Sequence, residues 1–131
     1  MLGYPNQPTR KAFDGVTVTG SYADNQFVMI ADGMSKLTLD IKYAMGATES
    51  ANTLKFKLEH SPDNGVTWFS LVIDETGATS VLTDRVWDIV GTSNKNVIID
   101  IAYKLLRISL TETGVAANAG TASVDYTLSG I

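Results

Sequence analysis

The run Ser61-Pro62-Asp63-Asn64-Gly65-Val66-Thr67-Trp68 stands between two stretches in which apolar and polar residues alternate. Upstream, Leu54, Phe56 and Leu58 interleave with Lys55, Lys57 and Glu59; downstream, Phe69, Leu71 and Ile73 interleave with Ser70, Val72 and Asp74. Side chains on a strand alternate between the faces of a sheet, so each stretch offers one apolar face and one wet face. Two such stretches joined by Asp-Asn-Gly predict a β-hairpin, with strands over 53–60 and 67–74. This hairpin restricts the chain to a β fold.

The same period runs through the rest of the chain. Val16-Thr17-Val18-Thr19 alternates and stops at Gly20, and Gln26-Phe27-Val28-Met29-Ile30 is an apolar run closed by Asp32-Gly33. From Lys36 to Met45 the alternation is cleanest, with Leu37, Leu39, Ile41 and Tyr43 on one face and Lys36, Thr38, Asp40 and Lys42 on the other. A helix would space its apolar residues three and four apart, and this stretch does not. Residues 79–90 fit a strand broken near Asp84 or a single helical turn, with extended structure favoured, and Gly91 to Asn96 is expected to be a polar loop. Val97 to Ile101 alternates, as does Leu106, Ile108 and Leu110; a small-residue loop from Thr113 to Gly120 precedes the alternation of Val124, Tyr126 and Leu128. About eight or nine strands with frequent turn signals and no convincing helix predict an all-β domain, a β-sandwich or jelly-roll over residues 12–131. Residues 1–11 hold two prolines and little periodicity, and are expected to form an extended N-terminal arm.

Bulk properties narrow the function. The chain has 131 residues, enough for one core without staples, and no cysteine, which removes disulfides and thiolate metal sites. Its net charge is −4, and its basic residues are scattered, so the basic stripe of a protein that binds nucleic acid or a membrane surface is missing. No apolar stretch has the length of a membrane-spanning helix. Residues 1–8 lack the charged start and apolar run of a signal peptide, so the chain is expected to stay in the cell where it is made, at least until it is assembled into something. No cofactor motif is present, neither a Gly-x-Gly-x-x-Gly nor a phosphate loop.

Candidate chemistry is equally sparse. His60 is the only histidine and lies in a strand between Glu59 and Ser61, whose side chains point to the opposite face, so the three cannot converge as a catalytic group. The carboxylate pairs Asp84/Asp88 and Asp74/Glu75 fall at turns or outward positions, where solvated acids are ordinary. A calcium site built on Asp63 and Asn64 would suit the oxygen preference of that ion, but the spacing is not that of an EF-hand.

The tip residues fit Ser-x-Asp-x-Gly-x-Thr-Trp, which resembles the Asp-box of sialidases and related β-propellers. Asp63 is expected to accept turn N–H groups, Gly65 to take a positive φ, Ser61 and Thr67 to bond across the mouth, and Trp68 to cover the turn. One copy in 131 residues cannot close a typical propeller, and the three arginines, Arg10, Arg85 and Arg107, are dispersed, so the likeness is to a rigid hairpin tip and not to a glycosidase. Over residues 36–128 the order of an alternating strand at 37–43, the segment 59–68, Ala-Tyr-Lys-x-x-Arg-Ile at 102–108 and a Gly/Ala-rich stretch at 113–123 resembles small β-sandwich virion proteins of tailed bacteriophages.

That resemblance implies a non-enzymatic capsid decoration (cement) protein on the outer surface of the virion. Its implied partners are the major capsid protein and further copies of itself, in a homotrimer, with no nucleic acid, membrane or cofactor. Contact is expected through Leu2, Tyr4, Pro5 and Pro8 of the arm and through the tip at Ser61, Asp63, Asn64, Gly65, Thr67 and Trp68. Tyr22, Trp87 and Tyr103 are expected to be exposed aromatics. The alternatives are a carbohydrate-binding module using Trp68 or Trp87 as a platform for glycan, and a small tail or head-completion component.

Overall fold

The computed structural model describes residues 7–47, 51–75, 81–114 and 118–130. The chain forms β1 (Arg10–Thr17), β2 (Gln26–Ile30), β3 (Lys36–Ala44), β4 (Thr53–Ser61), β5 (Phe69–Ser70), β6 (Val72–Glu75), β7 (Val81–Asp84), β8 (Val86–Val90), β9 (Ser93–Asp100), β10 (Leu105–Thr113) and β11 (Thr121–Ser129), with a short 3-10 turn at Tyr22–Asp24. One sheet has the order β1-β11-β3-β9; the other has β2-β10-β4, with β5 and β8 sharing the far edge of β4. Every pairing is antiparallel.

The pairings are nested. Arg10 opposes Tyr126, Ile30 opposes Leu105, Lys36 opposes Asp100 and Thr53 opposes Val90. The chain is thus one long hairpin rolled so that successive sections fall in alternate sheets. With β5–β7 set aside, the eight remaining strands have the jelly-roll order, 1-8-3-6 in one sheet and 2-7-4-5 in the other.

Alternation builds the core. Leu37, Leu39, Ile41 and Tyr43 of β3 and Ala122, Val124, Tyr126 and Leu128 of β11 face Leu54, Phe56 and Leu58 of β4 and Leu106, Ile108 and Leu110 of β10, all buried. Each large apolar side chain so placed contributes about 1.5–3 kcal/mol. Trp87 lies against this core, its ring stacked on Phe56 at 5.1 Å between centroids.

Three boundaries differ from the sequence-based expectation. The hairpin of 53–60 with 67–74 is short: β5 pairs with β4 only at Glu59–Ser70 and His60–Phe69. Beyond it, Leu71 N–H donates to Leu58 O, and the chain leaves to pair β6 with β7. The lower half of the β4 edge goes to β8, which brings Trp87 onto Phe56. The stretch Gly91 to Asn96 is not all loop, because Ser93 to Asn96 pair with Tyr43 to Asp40 as part of β9. A border strand needs backbone partners on one side only, so polar side chains do not prevent it, and Asn96 Nδ2 donates to Asp40 Oδ1 at 2.8 Å. Finally, β1 starts at Arg10, inside the segment expected to be an arm, and Gln7 N–H already donates to Leu128 O. The expected break near Asp84 is present, at Arg85 between β7 and β8.

Candidate functional site

The hairpin tip is a braced turn. Asn64 and Gly65 both take positive φ, 59° and 90°, which glycine tolerates freely and asparagine better than most residues. Gly65 N–H donates to Ser61 Oγ at 2.7 Å, Ser61 Oγ–H donates to Asp63 Oδ1 at 2.8 Å, and Thr67 N–H donates to the same Oδ1 at 2.7 Å. Ser61 and Thr67 therefore meet at Asp63 rather than across the mouth. The Thr67 N–H, then the Thr67 and Ser61 hydroxyls, hold the Asp63 carboxyl below the usual aspartate range. Fixed in this way, the turn presents Val66, 83% exposed, and leads into β5, where Phe69 is 51% exposed.

The outer face of the β2-β10-β4 sheet carries two aromatic covers, each over a cation. The tip folds back so that Trp68 sits over Arg107, with 4.4 Å from guanidinium carbon to ring centroid. Arg107 Nε and Nη2 donate to Glu59 Oε1 at 3.1 and 3.0 Å. Arg107 and Glu59 are direct neighbours across β10 and β4, so both project from the same face. At the other end the connection between β1 and β2 runs beside β10, bonded there through Thr19 O and Asn25 O, and Tyr22 receives Lys57 Nζ 4.6 Å from its ring centroid. Burial pushes the Tyr22 phenol up; Lys55 opposes this and Asp88 adds to it. Lys55 and Asp88 are paired at 3.0 Å.

A third aromatic group lies at the end of the sandwich. The His60 ring is 4.5 Å from that of Tyr103 and 5.8 Å from that of Phe69. An open cleft of about 250 Å³ runs between His60, Ser61, Pro62, Ala102, Tyr103 and Lys104. Tyr22, Trp68, Trp87 and Tyr103 are all half-buried rather than freely exposed. The rings of Trp68 and Trp87 are engaged by Arg107 and by Phe56 with Arg85, respectively.

Of the arm residues, Pro8 is exposed beside β11, while Leu2, Tyr4 and Pro5 lie outside the described residues. So does the middle of the small-residue loop, 115–117. Among the described residues no group of three or more His, Asp or Glu is placed to hold a metal ion, and both oxygens of Asp88 are bonded to Lys55. The sequence gives no sign of the Arg107–Glu59 pair or of the His60–Tyr103 contact, because both depend on strand register and on a loop path. One further buried polar cluster went unread: Glu112 accepts from Tyr43 Oη–H and, at 3.1 Å, from Gly120 N–H.

No family model matches the chain, and no curated protein matches it. Among solved structures it is similar to a chain of the Bacillus endospore appendages, a family of disulfide-linked pili, at 12% identity and a TM-score of 0.45, covering 98% of this chain and 90% of that one. It is similar to the family 11 carbohydrate-binding module from Clostridium thermocellum in complex with a β-1,3-1,4-mixed-linked tetrasaccharide, at 16% identity and a TM-score of 0.42, covering 99% and 90%. A third is a CBM4, at 14% identity and a TM-score of 0.36, covering 92% and 68%. All three fall below 25% identity and below a TM-score of 0.5, and no functional statement rests on them.

Proposed function

We propose that this chain is a non-enzymatic docking module, a virion structural protein that binds the assembled shell of a tailed bacteriophage and stabilises it. The observation that carries the reading is the braced tip. Val66 held out on a turn already fixed by its own hydrogen bonds, with Phe69 beside it on β5, loses little conformational freedom on binding, which is what an anchor for a partner surface requires. The partner is the lattice of the major capsid protein, as the virion resemblance implies, with the tip and the N-terminal arm as the contacts. A module that binds lattice and not free coat protein stabilises the lattice by mass action. The test is co-sedimentation of the purified protein with assembled shells of the encoding phage, with unassembled coat protein as the comparison. Saturable pelleting that Val66→Asp with Phe69→Ser weakens at least tenfold supports the reading; failure to pellet with shells overturns it.

The open cleft at His60 and Tyr103 favours a second reading, in which the module binds glycan. The Tyr103 ring, tilted against His60 beside Lys104, offers both an apolar platform and a charged hydrogen-bond donor for a sugar. A glycan array distinguishes the two, since this reading requires saturable sugar binding that is lost in Tyr103→Ala.

A further inference from the structure

We infer that β2 is a self-pairing edge, through which two copies of the chain join their sheets about a two-fold axis at Val28. An open edge strand is a template for another strand, and proteins guard such edges with charge, bulges or very short strands. The borders of the two main sheets are guarded in four places. β1 carries Arg10 and Lys11 and two register shifts; β9 carries Lys95 and Asp100; β8 carries Asp88 and adjoins Arg85; β5 has only two residues. β2, Gln26-Phe27-Val28-Met29-Ile30, has no charge, no proline and an unbroken register with β10, its one strand partner among the described residues.

The hydrogen-bond phase of β2 fits a second copy. Ala31 N–H donates to Lys104 O and Leu110 N–H donates to Asn25 O, so the odd-numbered residues bond toward β10. Gln26, Val28 and Ile30 therefore turn their N–H and C=O groups to the open side. An antiparallel copy centred on Val28 sets Val28 opposite its symmetry mate and Gln26 opposite Ile30, each as a hydrogen-bonded pair. The same register places Val28, 46% exposed, and Ile30, 73% exposed, against the partner's outer face. Phe27 then faces Met29 on the core side. A depression of about 240 Å³ lined by Val28 and Ile30 with Gln7, Arg10, Tyr126 and Leu128 lies beside this edge. A strand facing its own copy brings no charge against charge, whereas each of the other long borders would meet like charges in some register.

Five residues per copy make a small interface, so the association is weak and depends on concentration. Each copy carries a net charge of −4, so added salt strengthens it. This is a dimer contact and does not by itself give the trimer implied by the virion resemblance; it holds whichever functional reading is correct.

The test uses the full chain. Sedimentation equilibrium from about 1 µM to about 1 mM should show a monomer–dimer equilibrium that shifts to dimer with salt. Val28→Pro removes an N–H that β10 does not use, and Val28→Lys places charge on the axis; both should remain monomeric with an unchanged circular dichroism spectrum. Because the chain has no cysteine, Val28→Cys supplies a single thiol. Its symmetry mate would lie about 5.5 Å away between Cα atoms, a separation that a disulfide spans. It should cross-link at least tenfold faster than Ile98→Cys, an exposed position on β9. Equal cross-linking rates, a wild-type chain that stays monomeric throughout, or a dimer that survives Val28→Lys each overturn the inference.

Discussion

Arg107 holds Trp68 to the sheet: its guanidinium carbon lies 4.4 Å from the Trp68 ring centroid while the same group donates two hydrogen bonds to Glu59. The pair is mostly shielded from water, with side-chain exposures of 20% for Arg107 and 10% for Glu59. Removing one partner of a shielded pair leaves the other uncompensated. We expect Arg107→Ala to cost about 3 kcal/mol in urea unfolding. Arg107→Lys keeps the charge but loses the planar fork, and should cost about 1–2 kcal/mol. In a Trp87→Phe background, Trp68 emission should shift to the red in both variants.

The tip should be sensitive to acid. Hydrogen bonds from Thr67 and Ser61 lower the Asp63 pKa in the folded state. Its contribution is then complete above the unfolded aspartate value and is lost as pH falls through the folded value. We expect a gap in melting temperature between wild type and Asp63→Ala that is constant near neutrality and closes below about pH 4. A gap that stays constant down to about pH 2 contradicts this.

Tyr22 should titrate late. Burial raises its pKa, so its contribution is present below the unfolded tyrosine value and disappears as pH rises through the folded value. Ultraviolet absorbance at alkaline pH should show a phenol ionising above the ordinary tyrosine range, and Tyr22→Phe should remove that component. Asp88→Asn should move it down, because Asp88 adds to the shift.

The Glu112 cluster should behave as a structural lock. Glu112→Ala takes the acceptor from the buried Gly120 N–H, and we expect a loss of about 1–3 kcal/mol from that group alone. Glu112→Gln keeps an acceptor and should cost less. Gly120→Ala should also destabilise, by about 1–3 kcal/mol, because a Cβ there would sit 2.7 Å from Ala44 O and against the Glu112 carboxylate. Thermal melts of the three variants order these effects.

β3, β10 and β11 were legible in the sequence because one face of each meets the core, and a buried face forces strict alternation. The tip was legible because Asp63 and Gly65 have local jobs that the neighbouring backbone defines. The path of the chain after Trp68 was not. Phe69 continues the alternation on paper, yet β5 ends after Ser70, since the competition between β5 and β8 for one edge of β4 is decided by how Trp87 packs on Phe56. β9 escaped recognition over Ser93 to Asn96 for the opposite reason: its polar residues are held by backbone pairing and by the Asn96–Asp40 side-chain bond, neither of which leaves a trace in hydropathy. Arg107 alternates with Leu106 and Ile108, and only register shows that Glu59 is its neighbour and the tip its roof.

The nested pairing also dictates an order of events during synthesis. β1 has no neighbour within its own sheet until β11 has been made, and β2 waits for β10 in the same way. Only the innermost sections, β4 with β5 and β8 and β6 with β7, can close early. The chain must therefore leave the ribosome largely unpaired and finish by gathering distant segments, a slow search during which its most apolar strands stand open to neighbouring nascent chains.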